Sequence, residues 1–339
     1  MTRRSPREFE QEKSRPPALL SVDGLRVSLR SRTRMLPAVQ EVSFSMQRGE
    51  ILALVGESGC GKSLTAQALL GLVGKNFHGQ VEGSIRFKDR ELTDLSEREM
   101  RAIRGREIAW VSQDPMTSLN PVYPVGAQIA EVPWLHQLCR TRNQARGVAE
   151  RWMDRVGIPD PALRARDYPF AFSGGMRQRL VISMGLSGEP DLIIADEPTT
   201  ALDVTIQAQI LDLLHDLRAQ TGCAILLITH DLGVVAQWCD AAMVMYAGRI
   251  VEKAPVGELL ANPTHPYTQN LLASVPTPGH RRPLQPIPGQ APALEDIPSR
   301  GCPFRERCAL ARAACEVRMP DLVGSAVHRV ACWEREVKA

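Results

Sequence analysis

The sequence ILALVGESGCGKSL at residues 51–64 carries the strongest fold signal in this chain. Its first five residues are a continuous apolar run, which predicts a strand buried on both faces of a parallel sheet. The next eight, called the phosphate loop below, match G-x-x-x-x-G-K-[ST] and lead into the helical pattern LTAQALLGLV. Backbone N–H groups of such a loop and the N-terminus of its helix bind phosphate. We expect Lys62 to reach the β- and γ-phosphates of a nucleotide and Ser63 to ligate Mg²⁺; the alternative is a chance glycine-rich turn.

Two carboxylates follow a second buried-strand pattern. The apolar residues 192–195 precede Asp196 and Glu197. Because an acid at the carboxyl end of a parallel strand lies beside the phosphate loop, Asp196 is predicted to hold Mg²⁺. Glu197 is one residue further along and points differently, so it can polarise a water that attacks the γ-phosphate. Taken alone, the pair could equally be solvated acids in a strand-end turn.

A histidine and a glutamine end two further apolar runs. Residues 224–229, AILLIT, precede His230, and residues 107–113, EIAWVSQ, end in Gln113. Beside strand ends that carry phosphate chemistry, His230 is a candidate sensor of the γ-phosphate. Gln113 is a candidate Mg²⁺ ligand or water-positioning group. The alternatives are a surface histidine and an amide that merely ends its strand.

A second glycine-rich segment, FSGGMRQR at residues 172–179, opens what reads as another helix. A serine hydroxyl, flexible backbone amides and a helix N-terminus together predict a second anion-binding site. The chain contains one phosphate loop, so this second site needs a phosphate from elsewhere.

The order and spacing of these motifs resemble the ATP-binding subunit of ABC transporters over about residues 19–255. The resemblance implies an α/β fold: a P-loop NTPase cassette with an antiparallel β subdomain and a helical subdomain. It also implies a head-to-tail dimer with two ATP molecules at its interface. The phosphate loop of one subunit then faces the Ser-Gly-Gly segment of the other.

The resemblance assigns roles residue by residue. It implies ATP binding by Gly56, Glu57, Ser58, Gly59, Cys60, Gly61, Lys62, Ser63, Leu64 and Gln113. It implies Mg²⁺ ligation by Ser63, Gln113 and Asp196, and catalysis by Lys62, Glu197 and His230. It implies contact with the partner's ATP by Ser173, Gly174, Gly175 and Met176, and a contact across the dimer by Asp203.

Several stretches narrow the branch to importers of peptides or nickel. VGESGCGKS, SQDPMTSLNP and the His-Pro-Tyr motif in NPTHPYTQNLLASVP (262–276) are similar to those proteins, and most of all to a D-type subunit of a dipeptide or oligopeptide importer. This resemblance implies ATP-driven peptide import, with nickel or another small solute as the alternative. It implies a second, different cassette, two transmembrane permeases, an extracytoplasmic substrate-binding protein and a position at the cytoplasmic face of the inner membrane.

Two departures from the family pattern stand out. The segment GLRVSLRSRTRMLPAVQEVS (24–43) contains no aromatic residue that could stack on adenine. Base contacts must therefore be weaker or come from aliphatic or arginine surfaces. In the family, a glutamine usually follows Ser-Gly-Gly; here Met176 replaces it in residues 173–176, called the signature segment below.

Four cysteines near the C-terminus are spaced Cys302-x5-Cys308-x6-Cys315-x16-Cys332. Four thiolates can enclose zinc or an iron–sulfur cluster, but the close C-x2-C pairs of structural zinc sites are missing. The spacing alone leaves these options and free thiols open. The resemblance to peptide-importer ATPases, some of which carry a [4Fe–4S] cluster at this place, favours that cluster over zinc or unoccupied thiols.

Charge and composition argue against a nucleic-acid partner and against a membrane-spanning segment. A net charge of +3 gives no reason to expect a nucleic-acid partner, and no apolar run approaches the ~20 residues of a membrane span.

We expect a disordered arm (1–17), a cassette (18–255) with a helical subdomain (about 114–187), and a C-terminal extension (256–339) that holds the cysteines. A soluble ABC ATPase acting on ribosomes or DNA usually has two cassettes or a long coiled-coil insertion, and neither is present. A metal-binding regulatory protein is disfavoured by intact Glu197 and His230.

Overall fold

The structure is a computed structural model that describes residues 17–31, 34–76, 79–200, 202–274, 286–325 and 327–334, without the side chains of residues 75 and 76. The predicted disordered arm lies outside these ranges except for its last residue. The strands are β1 Leu20–Arg30, β2 Met35–Met46, β3 Ile51–Val55, β4 Gln80–Phe87, β5 Arg90–Glu91, β6 Ile108–Val111, β7 Leu192–Asp196, β8 Ala224–Thr229, β9 Ala241–Tyr246, β10 Arg249–Pro255, β11 Val323–Gly324 and β12 Arg329–Val330.

The helices lie between these strands, singly or in runs. They are α1 Lys62–Leu69, α2 Val73–Asn76, α3 Glu97–Ile103, α4 Pro115–Ser118, α5 Val125–Leu135, α6 Arg142–Arg155, α7 Pro161–Arg164, α8 Gly174–Leu186, α9 Val204–Thr221, α10 Leu232–Trp238, α11 Val256–Ala261, α12 Pro266–Ala273 and α13 Ala313–Val317. Short 3-10 turns occupy Pro169–Ala171, Leu294–Asp296 and Arg305–Arg307.

An eight-stranded sheet, in the order β11-β12-β10-β9-β3-β8-β7-β6, positions the site. The five strands from β9 to β6 run parallel, and β3, β7 and β8 are fully buried, as their continuous apolar sequences predict. Val55 pairs with Thr229 and Asp196 with Ile228, so these strands end at one edge of the sheet. The loops that follow them therefore meet there.

A second, antiparallel sheet has the order β2-β1-β4-β5, and its strands β1 and β2 contact the phosphate-loop helix α1. One core cluster joins the two sheets, with Leu25, Val42 and Ile85 from the antiparallel sheet beside Leu54 and Leu69. The α/β class with an antiparallel sheet is thus the architecture that the sequence predicts.

Helices α4 to α8 lie between β6 and β7 and bury a separate cluster that includes Ile129, Trp152 and Leu180. The capping box of Thr141 and Gln144 starts α6. The predicted strand 107–113 is shorter than expected, because the chain turns after Val111 and the Asp114 carboxylate caps α4 by accepting from the Met116 N–H at 2.8 Å. Gln113 therefore lies in a loop.

The C-terminal extension packs directly on the cassette. Its strands β11 and β12 continue the large sheet beyond β10. Its rings Tyr267 and Phe304 contact Tyr246 of β9, with centroids 4.7 and 5.2 Å away. Within the described residues, no helix is long and apolar enough to cross a bilayer.

Candidate ATP site

The phosphate loop is shaped by glycines at positions where a side chain would not fit. Gly56 has φ 156°, and a Cβ there would lie 2.2 Å from the Met245 carbonyl oxygen. Gly61 has φ 108°, which favours glycine. The loop folds around Lys62, which is 6% exposed and whose Nζ donates to the carbonyls of Gly56 (2.8 Å) and Glu57 (3.0 Å). The ammonium is therefore held at the centre of the loop, where phosphate oxygens would replace these carbonyls.

Ser63 and Asp196 form the predicted Mg²⁺ position. The Ser63 hydroxyl donates to Asp196 Oδ1 at 3.0 Å, and Asp196 is 5% exposed. Burial raises the pKa of Asp196, Glu197 adds to the rise, and Ser63 and Lys62 oppose it. A hydroxyl and a carboxylate are oxygen donors of the kind Mg²⁺ takes, so the residues fit the ion. Gln113, the third predicted ligand, donates to Glu197, and its ligation of Mg²⁺ stays a prediction.

Glu197 is the centre of a hydrogen-bond network. Its Oε2 accepts from Gln113 Nε2 at 3.1 Å and from the Thr200 hydroxyl at 2.8 Å, and its Oε1 lies 3.2 Å from His230 Nδ1. A φ of +46° turns its backbone away from the course of the strand. The positive φ explains why the side chains of Glu197 and Asp196 point in different directions, as expected from the sequence. Sequence reasoning missed Thr200, although it lies only three residues further along.

Apart from the buried Asp196, these groups line one open cavity of about 810 Å³, within the usual size range of small-molecule sites. Its polar lining includes the predicted loop residues except Cys60, together with Gln113, Glu197, Thr200 and His230. Cys60 is buried behind the loop, with Sγ 3.9 Å from Lys62 Nζ, and burial raises the pKa of its thiol. The apolar lining of the cavity consists of Leu29, Ala38, Leu64, Leu271 and Leu294.

The signature segment lies apart from this cavity. Among the described lining residues, none belongs to Ser173, Gly174, Gly175 or Met176. Ser173 caps α8 by accepting from the Met176 N–H at 3.4 Å, and Asp203 caps α9 by accepting from the Ile206 N–H at 2.9 Å. The two caps are neighbours, since a Cβ on Gly175 would lie 2.6 Å from Ile206 Cγ2. The contact of residues 173–176 with a partner's ATP and the contact of Asp203 across the dimer stay predictions.

Two residues of the C-terminal extension hold the phosphate loop from outside, and sequence reasoning missed both contacts. Arg307, 6% exposed at its side chain, makes a bidentate pair with the Glu57 carboxylate at 2.6 and 2.9 Å. The Glu57 carboxylate raises the pKa of Arg307, so the arginine stays charged. The Tyr267 hydroxyl oxygen accepts from the Glu57 N–H at 2.9 Å. The His-Pro-Tyr motif was a signal for the second contact, whereas nothing local marks the first.

The four C-terminal cysteines share one region of the extension. The Cys302 N–H donates to the Cys315 carbonyl at 2.7 Å. Burial raises the pKa of the Cys302 thiol to about 11, and the other three cysteines add to the rise. Within the described ranges, no three His, Cys, Asp or Glu side chains are placed to hold a metal ion. The predicted iron–sulfur cluster is therefore not supported by this geometry, and neither is zinc.

Two protein families match the chain, and both agree with the family that the order of the motifs indicates. Residues 39–200 match the ABC transporter family, and residues 251–315 match the oligopeptide/dipeptide transporter C-terminal region. A probable peptide ABC transporter ATP-binding protein of Sinorhizobium fredii is 49% identical, covering 93% of this chain and 94% of that protein. The dipeptide transport ATP-binding protein DppD of Bacillus subtilis is 46% identical, covering 95% and 96%.

Solved structures agree with the fold. The cbiO1 protein of Clostridium perfringens, described as part of the ABC transporter complex cbiONQ, has a TM-score of 0.61 at 25% identity, covering 73% of this chain and 92% of that one. The cassette MJ0796, in a dimeric post-hydrolysis state bound to ADP and Pi, has a TM-score of 0.62 at 23% identity, covering 70% and 98%. The predicted cassette fold is confirmed. The chain is an ABC ATPase and belongs to the ABC transporter ATP-binding proteins, in the branch that carries the oligopeptide/dipeptide transporter C-terminal region.

Proposed function

We propose that this chain hydrolyses ATP to power the import of dipeptides or oligopeptides through a membrane ABC transporter. The observation that carries the chemistry is the network in which Gln113, Thr200 and His230 hold the Glu197 carboxylate beside the phosphate loop. Similarity to peptide-transport ATP-binding proteins over nearly the whole chain supports the cargo. Import of nickel or another small solute is the alternative within the branch.

In the proposed mechanism, Lys62 leaves the loop carbonyls and binds the β- and γ-phosphates. Ser63 and Asp196 would hold Mg²⁺, which would neutralise phosphate charge when bound. Glu197 accepts a proton from the water that attacks the γ-phosphorus. Gln113 and Thr200 orient this carboxylate, and His230 contacts the γ-phosphate from the same edge of the sheet.

We propose that two cassettes close head to tail on ATP. The segment Ser173 to Met176 then meets the γ-phosphate bound by the partner, and Asp203 contacts the partner cassette. We propose a heterodimer with a second, different cassette, two permeases, and a substrate-binding protein that acts through them on the opposite side of the membrane. The cassette (18–255) then sits at the cytoplasmic face of the membrane, with the extension (256–339) beside its phosphate loop.

Affinity purification from detergent-solubilised membranes, with mass spectrometry of the bound proteins, tests the assembly. Recovery of two polytopic membrane proteins and a second cassette would support a transporter, and a co-purifying substrate-binding protein would indicate the cargo. Recovery of ribosomal or DNA-bound partners without membrane subunits would contradict transport and leave the ATPase intact. Uptake of labelled dipeptide against labelled nickel by cells that lack the chain then separates the two cargo classes.

We propose further that Cys302, Cys308, Cys315 and Cys332 hold an iron–sulfur cluster, on the resemblance of their arrangement to that of peptide-importer ATPases, some of which carry one. The three other cysteines are close enough to Cys302 to raise the pKa of its thiol. Such a cluster requires all four thiols to deprotonate and to move into ligand positions. Anaerobic purification followed by iron and acid-labile sulfide analysis tests this. Stoichiometric zinc, or neither metal, would contradict it.

A further inference from the structure

The apolar part of the nucleotide cavity combines two distant parts of the chain. Leu29 of β1 and Ala38 of β2 come from the antiparallel sheet, and Leu64 comes from the phosphate-loop helix α1. Leu271 of α12 and Leu294 of a 3-10 turn come from the C-terminal extension. All are small or aliphatic, and no aromatic side chain is among the described residues that line the cavity.

Separate hydrogen bonds hold the two extension segments at the cavity. The Ser31 hydroxyl donates to Glu295 Oε1 at 3.3 Å, and Arg34 Nη2 donates to the Glu295 carbonyl oxygen at 3.2 Å. These bonds tie the residue after Leu294 to the residue that follows β1 and to the residue that precedes β2. Leu271 lies one turn of α12 beyond Tyr267, whose hydroxyl accepts from the phosphate loop. The apolar residues are therefore positioned independently of any ligand.

A nucleotide whose phosphates occupy the loop carries a flat base that needs an apolar surface. Leucine side chains supply that surface through area removed from water, without the added attraction of an aromatic face. The same cavity is lined by Gln67, whose side-chain oxygen is buried and has no hydrogen-bond partner among the described residues. An unpartnered amide oxygen in a cavity that also has aliphatic lining residues is suited to a ligand with a polar edge and apolar faces.

We propose that the adenine base of ATP lies between Leu29 of the cassette and Leu271 and Leu294 of the extension. The C-terminal extension thereby completes the nucleotide site, and aliphatic contact replaces aromatic stacking. This inference rests on the proposed ATP site and adds the base-binding residues to it.

The test compares binding of Mg-ATP and of inorganic tripolyphosphate to the purified full chain by calorimetry. Leu294→Asp places a carboxylate against the base, which should weaken ATP binding by about tenfold or more while tripolyphosphate affinity stays within about twofold. The matched control is Leu163→Asp, a change at a leucine that is 68% exposed on α7 and away from the cavity. Unchanged ATP affinity in Leu294→Asp would overturn the inference.

A second variant keeps the inference testable if Leu294→Asp does not fold. Leu29→Tyr introduces an aromatic face at the proposed base, which should tighten ATP binding by about three- to tenfold and leave tripolyphosphate unchanged. No gain in ATP affinity would overturn the inference. Failure of the wild-type chain to bind either ligand is a different result, because it would contradict the ATP site itself.

Discussion

The two parts of the nucleotide cavity are built in different ways. The polar part comes from the cassette alone, because strands β3, β7 and β8 end at one edge and deliver Lys62, Asp196 and Glu197 there. The apolar part and the outer contacts of the phosphate loop depend on the C-terminal extension. Phosphate chemistry requires particular residue types at fixed places, whereas an apolar wall requires only aliphatic side chains brought there by tertiary packing. Changes to the polar part should therefore affect turnover, and changes to the extension should affect binding and stability.

The largest effect is expected from Glu197→Gln in the polar part. The amide keeps the size of the side chain, and its oxygen can still accept from Gln113 and Thr200, but it cannot accept a proton from water. ATP turnover should therefore fall by about 10²- to 10⁴-fold. ATP binding should persist, because Lys62, Ser63 and Asp196 are intact. Steady-state phosphate release by the assembled transporter measures the first property, and calorimetry on the purified chain measures the second.

The control for this variant is Glu82→Gln, an exposed position on β4 of the antiparallel sheet. It should turn over ATP at the wild-type rate. If Glu197→Gln also hydrolyses ATP normally, another group is the base, and the polar part of the cavity has been assigned wrongly.

The next effect concerns the outer contact of the phosphate loop. Arg307→Ala removes a nearly buried guanidinium that pairs with Glu57 and lies within 6 Å of the Tyr246 and Phe304 rings, at 5.8 and 5.9 Å. We expect a loss of about 3 kcal/mol in the free energy of unfolding, because the Glu57 carboxylate keeps its charge without its partner. Urea denaturation of the purified chain measures it.

Arg305→Ala is the matched control in the same 3-10 turn, since Arg305 contacts Glu306 and Arg300 within its own segment. It should cost less than about 1 kcal/mol, as partly exposed pairs usually do. A double variant, Arg307→Ala with Glu57→Gln, should recover part of the loss. Equal stability of Arg307→Ala and the wild type would show that the extension does not stabilise the loop.

The contrast between the two parts also explains what the sequence could predict. Strands β3 and β8 match their apolar runs, and the loop, Asp196, Glu197 and His230 meet as expected, because motif order fixes which strand ends become neighbours. The strand before Gln113 was predicted too long, since a side-chain cap at Asp114 ends it early. Residue types with special chemistry thus leave a local signal that can be recognised.

Apart from Tyr267, which the His-Pro-Tyr motif marks, the residues of the extension that contact the nucleotide cavity leave no such signal. Arg307 is one of many arginines in the chain, and Leu29 and Leu294 are ordinary leucines until the fold places them around one cavity. The absence of an aromatic residue in 24–43 predicted that base contacts are unusual, but not which residues replace them. Such pairings depend on distant segments docking together, and periodicity or motif spacing does not encode them.

Acidification should loosen the extension through His265. Burial lowers the pKa of His265 to about 3, and its Nδ1 accepts from the Tyr267 N–H at 3.0 Å, so the folded chain holds it neutral. An unfolded histidine titrates near pH 6.5. Protonation of His265 in the unfolded chain therefore lowers the free energy of unfolding as the pH falls from about 6.5 toward 3. The expected decline between pH 7 and pH 5 is about 2 kcal/mol.

Urea denaturation at the two pH values measures this decline in the wild type and in His265→Gln. The variant should lose about 2 kcal/mol less than the wild type over this interval, because it lacks the titrating ring. His215→Gln, at an exposed position of α9, should keep the wild-type pH dependence. An identical pH dependence in His265→Gln would mean that protonation of His265 does not limit docking of the extension.

The smallest expected effect distinguishes the two contributions of the extension to nucleotide binding, one through the phosphate loop and one through the proposed base contacts. Tyr267→Phe keeps a ring that is fully buried but removes the hydroxyl that accepts from the Glu57 N–H. Losing one hydrogen bond of about 1 kcal/mol should weaken nucleotide binding about fivefold. Because the bond holds the phosphate loop, ATP and tripolyphosphate should weaken equally, whereas Leu294→Asp should weaken ATP alone. Tyr168→Phe, at an exposed ring, should change neither affinity. If Tyr267→Phe weakened ATP only, α12 would act on the base, and the hydroxyl contact would not shape the phosphate loop.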